Sequence, residues 1–242
     1  MTERNTPGRE HPGHPGHPGH PGHPGDAEEV VERFTAWLRA DTFTCLGARA
    51  ALQRGELATG VYGTLGDRED LHRLRTDLLR FVTGPLAGPG RFHSFAAIFT
   101  RSDPEDEEVF EKLLWEQLNA LHRADRADHP WAREVSPDPR DPRFGISVAG
   151  HPFFVIGLHR RASRISRRFD HPVLVFNSHR QFAELKRTGV YQGMQTKIRG
   201  KEVALQGDVN PMLAEHGETS EARQYSGRAV PAHWTCPFDR DG

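Results

Sequence analysis

The stretch His151-Pro-Phe-Phe-Val-Ile-Gly-Leu-His159 constrains the fold of this chain more than any other. An apolar run of strand length, opened by His-Pro and followed at once by a charged segment, reads as a buried strand. It carries a histidine at each end. Arg160, Arg161, Arg164, Arg167 and Arg168 follow within the next ten positions on a helix-like segment. Where a buried strand delivers a neutral metal ligand and the next segment delivers guanidinium groups, a prosthetic group that is both metallic and anionic fits. Haem is such a group, because arginine pairs bidentately with carboxylates such as propionates and histidine is a common axial ligand of haem iron. On the plainer reading the histidines close hydrogen bonds at strand ends and the arginines form a solvated face.

Residues 11–25 are five copies of His-Pro-Gly, a repeat that can neither hydrogen-bond as a helix nor bury side chains. Residues 1–25 are therefore expected to be a disordered low-complexity tail, and 26–242 a single domain. The spaced imidazoles of His11, His14, His17, His20 and His23 could pick up a transition metal, although a plain linker is the simpler reading. The tail dilutes a composition of 36% hydrophobic and 27% charged residues, so the remainder can still bury a core. A formal net charge of -1 gives no global field to recruit nucleic acid or an anionic membrane. No run reaches the length of a membrane span and the N-terminus has no apolar signal-type region, so a cytoplasmic protein is expected. Cys45 and Cys236 lie far apart with no CxxC spacing; they imply neither a zinc site nor a disulfide framework.

Helical spacing of Val30, Val31, Phe34, Trp37 and Leu38 predicts a helix over 27–40, with a second over 48–55. A third starts at Asp67 or Asp70 and keeps Leu71, Leu74, Leu78 and Phe81 on one face until Thr83-Gly-Pro. Residues 92–99 read as a buried strand. A helix from Pro104, capped by Ser102 or Asp103, turns Val109, Phe110, Leu113, Leu114, Leu118 and Leu121 inward. Recurrent prolines make 129–143 an irregular connection that could cover a site. Strands are expected at 146–148, 153–158 and 173–176, then a helix from Ser178 and another over 191–205, weakened by Gly193 and Gly200. Helices and strands do not alternate regularly, which argues for an α+β fold with a small, mostly antiparallel sheet packed with helices.

No P-loop, GxGxxG, GxSxG or HExxH pattern is present, so familiar nucleotide and hydrolase chemistries are unsupported. Phe43-Thr-Cys45 and Cys236-Pro-Phe238, however, resemble the paired signatures of the FPC/CPF motif-containing (YqcI/YcgG) family. Between them His93-Ser-Phe-Ala-Ala-Ile-Phe99, the 151–159 strand, Arg167-Arg-Phe169, Leu174-Val-Phe-Asn177, Asn210-Pro-Met-Leu213 and Ser220-Glu-Ala-Arg-Gln-Tyr-Ser-Gly-Arg228 resemble the family's blocks in the same order. Two positions depart from its pattern: Thr44 stands where the first signature has proline, and Arg160 follows His159 where proline is expected.

The resemblance implies a haem-dependent N-hydroxylase that oxygenates a nitrogen of L-arginine or a related guanidine or amino compound in specialised biosynthesis. His159 is the first choice for the iron ligand because it ends an apolar strand, with His151, His93 and Cys236 as alternatives. Arg164, Arg167 and Arg168 become propionate candidates, and Glu218, Glu221 and Tyr225 substrate or distal candidates, with Asp208 as another carboxylate that could serve. The implied partners are a small-molecule substrate and an electron donor or peroxide, with a homodimer left open. The competing expectation, from another class, is a non-enzymatic haem or metal carrier or sensor.

Overall fold

The computed structural model describes residues 24–88, 90, 92–210 and 220–241; most of the His-Pro-Gly repeat and Glu218 lie outside them. The chain runs α1 (Pro24–Arg39), α2 (Leu46–Arg54), β1 (Leu57–Tyr62), α3 (Arg68–Thr83), β2 (Ser94–Phe99), α4 (Glu107–Asp125), β3 (Ile146–Val148), β4 (His151–Leu158), β5 (Val173–Ser178), α5 (His179–Arg187), α6 (Val190–Gln206) and the single turn α7 (Ala222–Tyr225). The five strands form one sheet in the order β1-β2-β5-β4-β3. β1 and β2 are parallel and the other pairs antiparallel, so the fold is α+β as the irregular alternation predicts.

Alternation of side chains across the pleat divides the interior into two cores. Phe95, Ala97 and Phe99 of β2, Phe153 and Val155 of β4, and Leu174 and Phe176 of β5 pack with α3 and α4 through Leu74, Leu78, Phe110, Leu114 and Trp115. Ala96, Ile98, Leu158, Val173 and Val175 face the other way and meet Phe34 and Leu38 of α1. The three central strands are apolar on both faces because both are covered.

β3 reaches only as far as the Ile146–Phe153 pair, with Ala149 (φ 54°) and Gly150 (φ 66°) closing its hairpin with β4. The edge of β4 beyond Phe153 therefore needs other partners. Tyr225 of α7 donates its hydroxyl to Phe153 O at 3.3 Å, and Arg167 donates to Gly157 O at 3.3 Å.

Several expectations are corrected. β1 was not expected at all. α1 starts at Pro24, two residues inside the presumed tail, because proline suits a first helical turn whose N–H groups need no partner. Asp67 caps α3 as expected, but α4 is capped by Asp106, since Asp103 is taken by Arg161 at 2.6 Å. The helix-like reading of residues 160–169 gives way to a turn and a short 3-10 segment, Ile165–Arg167. The arginines there are drawn apart, Arg160 and Arg161 to Asp103, Arg164 to Glu202 and Asp208, and Arg167 to Gly157 O and Tyr225 O, which one face of a regular helix would not allow. Gly193 and Gly200 do not break α6, where a Cβ at either would meet open space.

Gly157 is where β4 meets α4: an added Cβ would lie 2.6 Å from Phe110 and 2.9 Å from Leu114. Gly157→Val is expected to lower unfolding free energy by about 1–3 kcal/mol, the ordinary result of overpacking a close-packed core; urea unfolding measures it.

Candidate functional site

A cavity of about 260 Å³ lies on the α1 side of the sheet, between β4 and β5 below and α1, α2, α5 and α6 around it. Its walls are apolar, with Phe34, Leu38, Ile156, Leu158, Val175 and Leu185 among them. Polar side chains enter the same lining, among them the imidazoles of His93 and His179, the cations Arg164, Arg167, Lys186 and Arg199, and the carboxylates of Glu202 and Glu221. Apolar walls with convergent polar groups are the usual make-up of a small-molecule site.

The arginines that follow β4 part company here. Arg160 and Arg161 pair with Asp103 at 3.6 and 2.6 Å near the surface. Arg168 is exposed and donates to the carbonyls of Ala162 and Ser163, so it does not line the cavity. Arg164 does, but its guanidinium is clamped by Glu202 at 2.6 Å and by Asp208. Asp208 is thereby a partner of this protein's own arginine.

Arg167 differs from all of these. Its bonds are to two backbone carbonyls, Gly157 O at 3.3 Å and Tyr225 O at 3.2 Å. Among the described residues no carboxylate lies within ion-pair distance of it, and the surface it retains faces the cavity. Burial pulls its pKa down to about 10, with Glu202 acting in the opposite sense through space. A desolvated cation supported only by dipoles is costly to fold, and an anion in the cavity would relieve it.

Glu202 is a hub. It accepts from Thr44 Oγ1 at 2.5 Å, Ser166 Oγ at 2.6 Å and Arg164. Burial alone would raise its pKa, but these three donors outweigh it and hold the carboxyl below its ordinary value. Thr44, where the family signature has proline, thus supplies a hydrogen bond that proline could not.

The second carboxylate, Glu221, is buried and accepts through Oε1 from His179 Nε2 at 2.7 Å and from the Tyr225 hydroxyl at 3.0 Å. Burial raises its pKa and the His179 contact opposes the rise. Of the candidates read from the sequence, Glu221 and Tyr225 are brought together, Glu221 at the cavity and Tyr225 behind it in the α4-side core.

The four ligand candidates are scattered. His159 is fully buried on the opposite face of the sheet, stacked on Phe110 with ring centroids 4.3 Å apart. Neither of its ring nitrogens has a hydrogen-bond partner among the described residues, and burial pushes its pKa down to about 4. His151 does not itself line the cavity but is bonded at 2.8 Å to the Oγ of Ser178, which does. Cys236 packs against the α4-side core and burial lifts its thiol to about 12, which disfavours a thiolate. His93 lines the cavity. No part of 129–143 lines it, so that connection does not cover it.

Sequence reasoning missed His179 and Glu202, the groups that organise the two polar ends. His179 is the first residue of α5, presented by the Ser178 cap; a polar residue at a strand-to-helix junction was the one available signal.

With this geometry in place, comparison with known proteins is decisive on kinship. The model of the YqcI/YcgG family matches residues 34–239, from α1 to past the Cys236-Pro-Phe238 signature. The chain belongs to the YqcI/YcgG family. The uncharacterized protein YqcI of Bacillus subtilis (strain 168) is 26% identical over 212 residues, covering 83% of this chain and 82% of that protein. No solved structure matches. The family match runs through both walls of the cavity, since Phe34 and Glu221 fall inside it. Among the described residues no helix is long and apolar enough to cross a membrane.

A carboxylate with a depressed pKa contributes stability that is complete above its unfolded value and is lost as pH falls through the folded one. Glu202→Gln, which leaves Arg164 with Asp208 alone, is therefore expected to destabilise the protein by about 3 kcal/mol at neutral pH. The difference from the parent should shrink as pH is lowered into the carboxylate range, as read from urea unfolding at a series of pH values.

Proposed function

We propose that the protein is a haem-dependent N-hydroxylase, with the cavity as its haem and substrate site. The observation that carries this reading is Arg167, a half-buried cation without a carboxylate partner among the described residues, facing a largely apolar chamber that also presents imidazoles. The donor set suits a haem: apolar walls for the macrocycle, a guanidinium for a propionate, and a nitrogen ligand for iron. His179 is the residue best prepared to hold iron, because a carboxylate on the far side of a ligating imidazole fixes its orientation and raises its basicity, and Glu221 stands in that relation to it. The role expected of His159 passes to His179, with His93 as the other cavity imidazole. Haem, when bound, would supply the activation of dioxygen or peroxide; the chain's own residues hold it, exclude water and place the substrate nitrogen.

The substrate class, L-arginine or a related guanidine or amino compound, is supported by the family blocks and by the aromatic rim. The protein already lays Arg54 over the Phe92 ring at 5.5 Å and Lys186 over Tyr191 at 5.1 Å, and both rings line the cavity. A planar guanidinium binds such faces. Glu221, earlier read as the guanidinium's partner, is already engaged by His179 and Tyr225, so it serves the imidazole instead.

Three experiments test the reading. Purified protein supplied with haem, a reductant and oxygen, or with peroxide, is expected to convert arginine or a guanidine compound to a product heavier by one oxygen, seen by mass spectrometry; haem retention with no product from any such compound would favour the carrier. Arg167→Leu should weaken haem binding by about 1.5–3 kcal/mol, roughly 10- to 150-fold, as expected for losing a charged hydrogen bond. His179→Ala should abolish the iron–imidazole spectrum, while His159→Ala keeps it.

A further inference from the structure

Tyr225 joins the cavity to the protein surface through aromatic rings. On one side its hydroxyl donates to Glu221, which also accepts from His179. On the other its ring stacks on Trp115, with centroids 5.5 Å apart and planes within 14°. Trp115 in turn contacts Trp234, centroids 6.3 Å apart. Trp115 is fully buried, and Trp234 is half-buried, its indole N–H on Glu111 at 2.6 Å. These separations are ordinary ring contacts, so packing alone could produce them. The Nε1 of Trp115 has no hydrogen-bond partner among the described residues, as is also true of Trp131, a penalty that phenylalanine or leucine would avoid. Of these two indoles, Trp115 is the one in ring contact both with Tyr225 and with a second tryptophan. Of the three tyrosines in the chain, Tyr225 is the one in ring contact with a tryptophan among the described residues; Tyr62 meets Phe99 and Tyr191 meets Phe182. The aromatic path to Tyr225 from Trp131, through Phe238 and Phe144, passes through phenylalanine rings, which a tryptophan radical does not oxidise.

We propose that Trp234, Trp115 and Tyr225 form an electron relay between a one-electron donor at the surface and the cavity, with Glu221 as the proton acceptor for Tyr225. When a peroxide-derived one-electron oxidant in the cavity removes an electron from Tyr225, the phenol O–H breaks. Its proton moves across the 3.0 Å hydrogen bond to the Glu221 carboxylate and a neutral phenoxyl remains. An electron from Trp115, replaced from Trp234 and then from a soluble one-electron donor, returns the phenoxyl to phenol as the proton comes back. Net, the donor loses one electron, the cavity oxidant gains one, and the three rings are unchanged. The relay's use rests on the redox reading of the cavity, but its existence does not.

Pulse radiolysis of the full chain without added cofactor tests it. Azide radical oxidises accessible tryptophan, and the tryptophan and tyrosyl radicals absorb at different wavelengths. The wild type is expected to convert tryptophan radical to tyrosyl radical in a first-order phase whose rate is independent of protein concentration. Tyr225→Phe, which keeps the ring in place, and Trp234→Phe, at a half-exposed site, should each lose that phase. If it is absent in the wild type, or persists unchanged in either variant, the relay is wrong. Because no haem is used, a chain that fails to bind haem but shows the transfer refutes the oxygenase reading alone. A chain that binds haem and shows no transfer refutes the relay alone.

Discussion

The architecture around the cavity turns on a charge that the protein buries without neutralising. Arg167 leaves the 3-10 turn after β4, closes the bare edge of β4 beyond β3 with one carbonyl bond, ties down α7 with another, and turns its remaining face to the cavity. Gly227 packs directly against its side chain, φ being 86°, where an added Cβ would lie 2.7 Å from Cδ. Swinging to solvent would cost the cation both carbonyl bonds and its packing against Gly227. What holds it is geometry, and what it lacks is an anion. A cavity built in this way is prepared for a negatively charged guest.

A neighbouring arginine shows the contrast. Arg164 is the more completely buried of the two and lines the same chamber, yet it is matched by Glu202 and Asp208. Through Glu202 it fastens α6 to Thr44 ahead of α2 and to Ser166 on the turn after β4. Arg164 thus serves the frame, while Arg167 faces the cavity with no carboxylate within ion-pair distance among the described residues. The same division separates the carboxylates: Glu202 is saturated by structural donors, while Glu221 holds an imidazole that faces the chamber.

Much of this frame was legible in the sequence, and the reasons for the exceptions are specific. β4 announces itself because it is apolar on both faces, and α3 and α4 because their inward residues recur at helical spacing. β1 was missed since Leu57-Ala-Thr-Gly-Val-Tyr62 is short and mixed in character; it becomes a strand by pairing along β2 from Leu57–Ser94 to Tyr62–Phe99. The segment after His159 was misread because a cluster of arginines looks like one face, whereas partners as distant as Asp103, Glu202 and Tyr225 pull them in separate directions. His159 ends the right strand but points to the wrong side of it, since residues two apart share a face and His159 goes with Phe153 and Val155. Glu202 and His179 were invisible for a common reason. Their meaning comes from Thr44, 158 positions away from Glu202, and from Glu221, 42 positions away from His179, and no local pattern encodes such pairings.

The central claim is that this chamber takes an anionic, iron-bearing macrocycle whose carboxylate meets Arg167 and whose metal meets an imidazole. The most direct measurement is an optical titration of haem into the full chain. The account requires a saturable Soret shift ending at one haem per chain, with the spectrum of an imidazole-ligated iron. A titration that runs on without a break, leaving the spectrum of free haem, would contradict it.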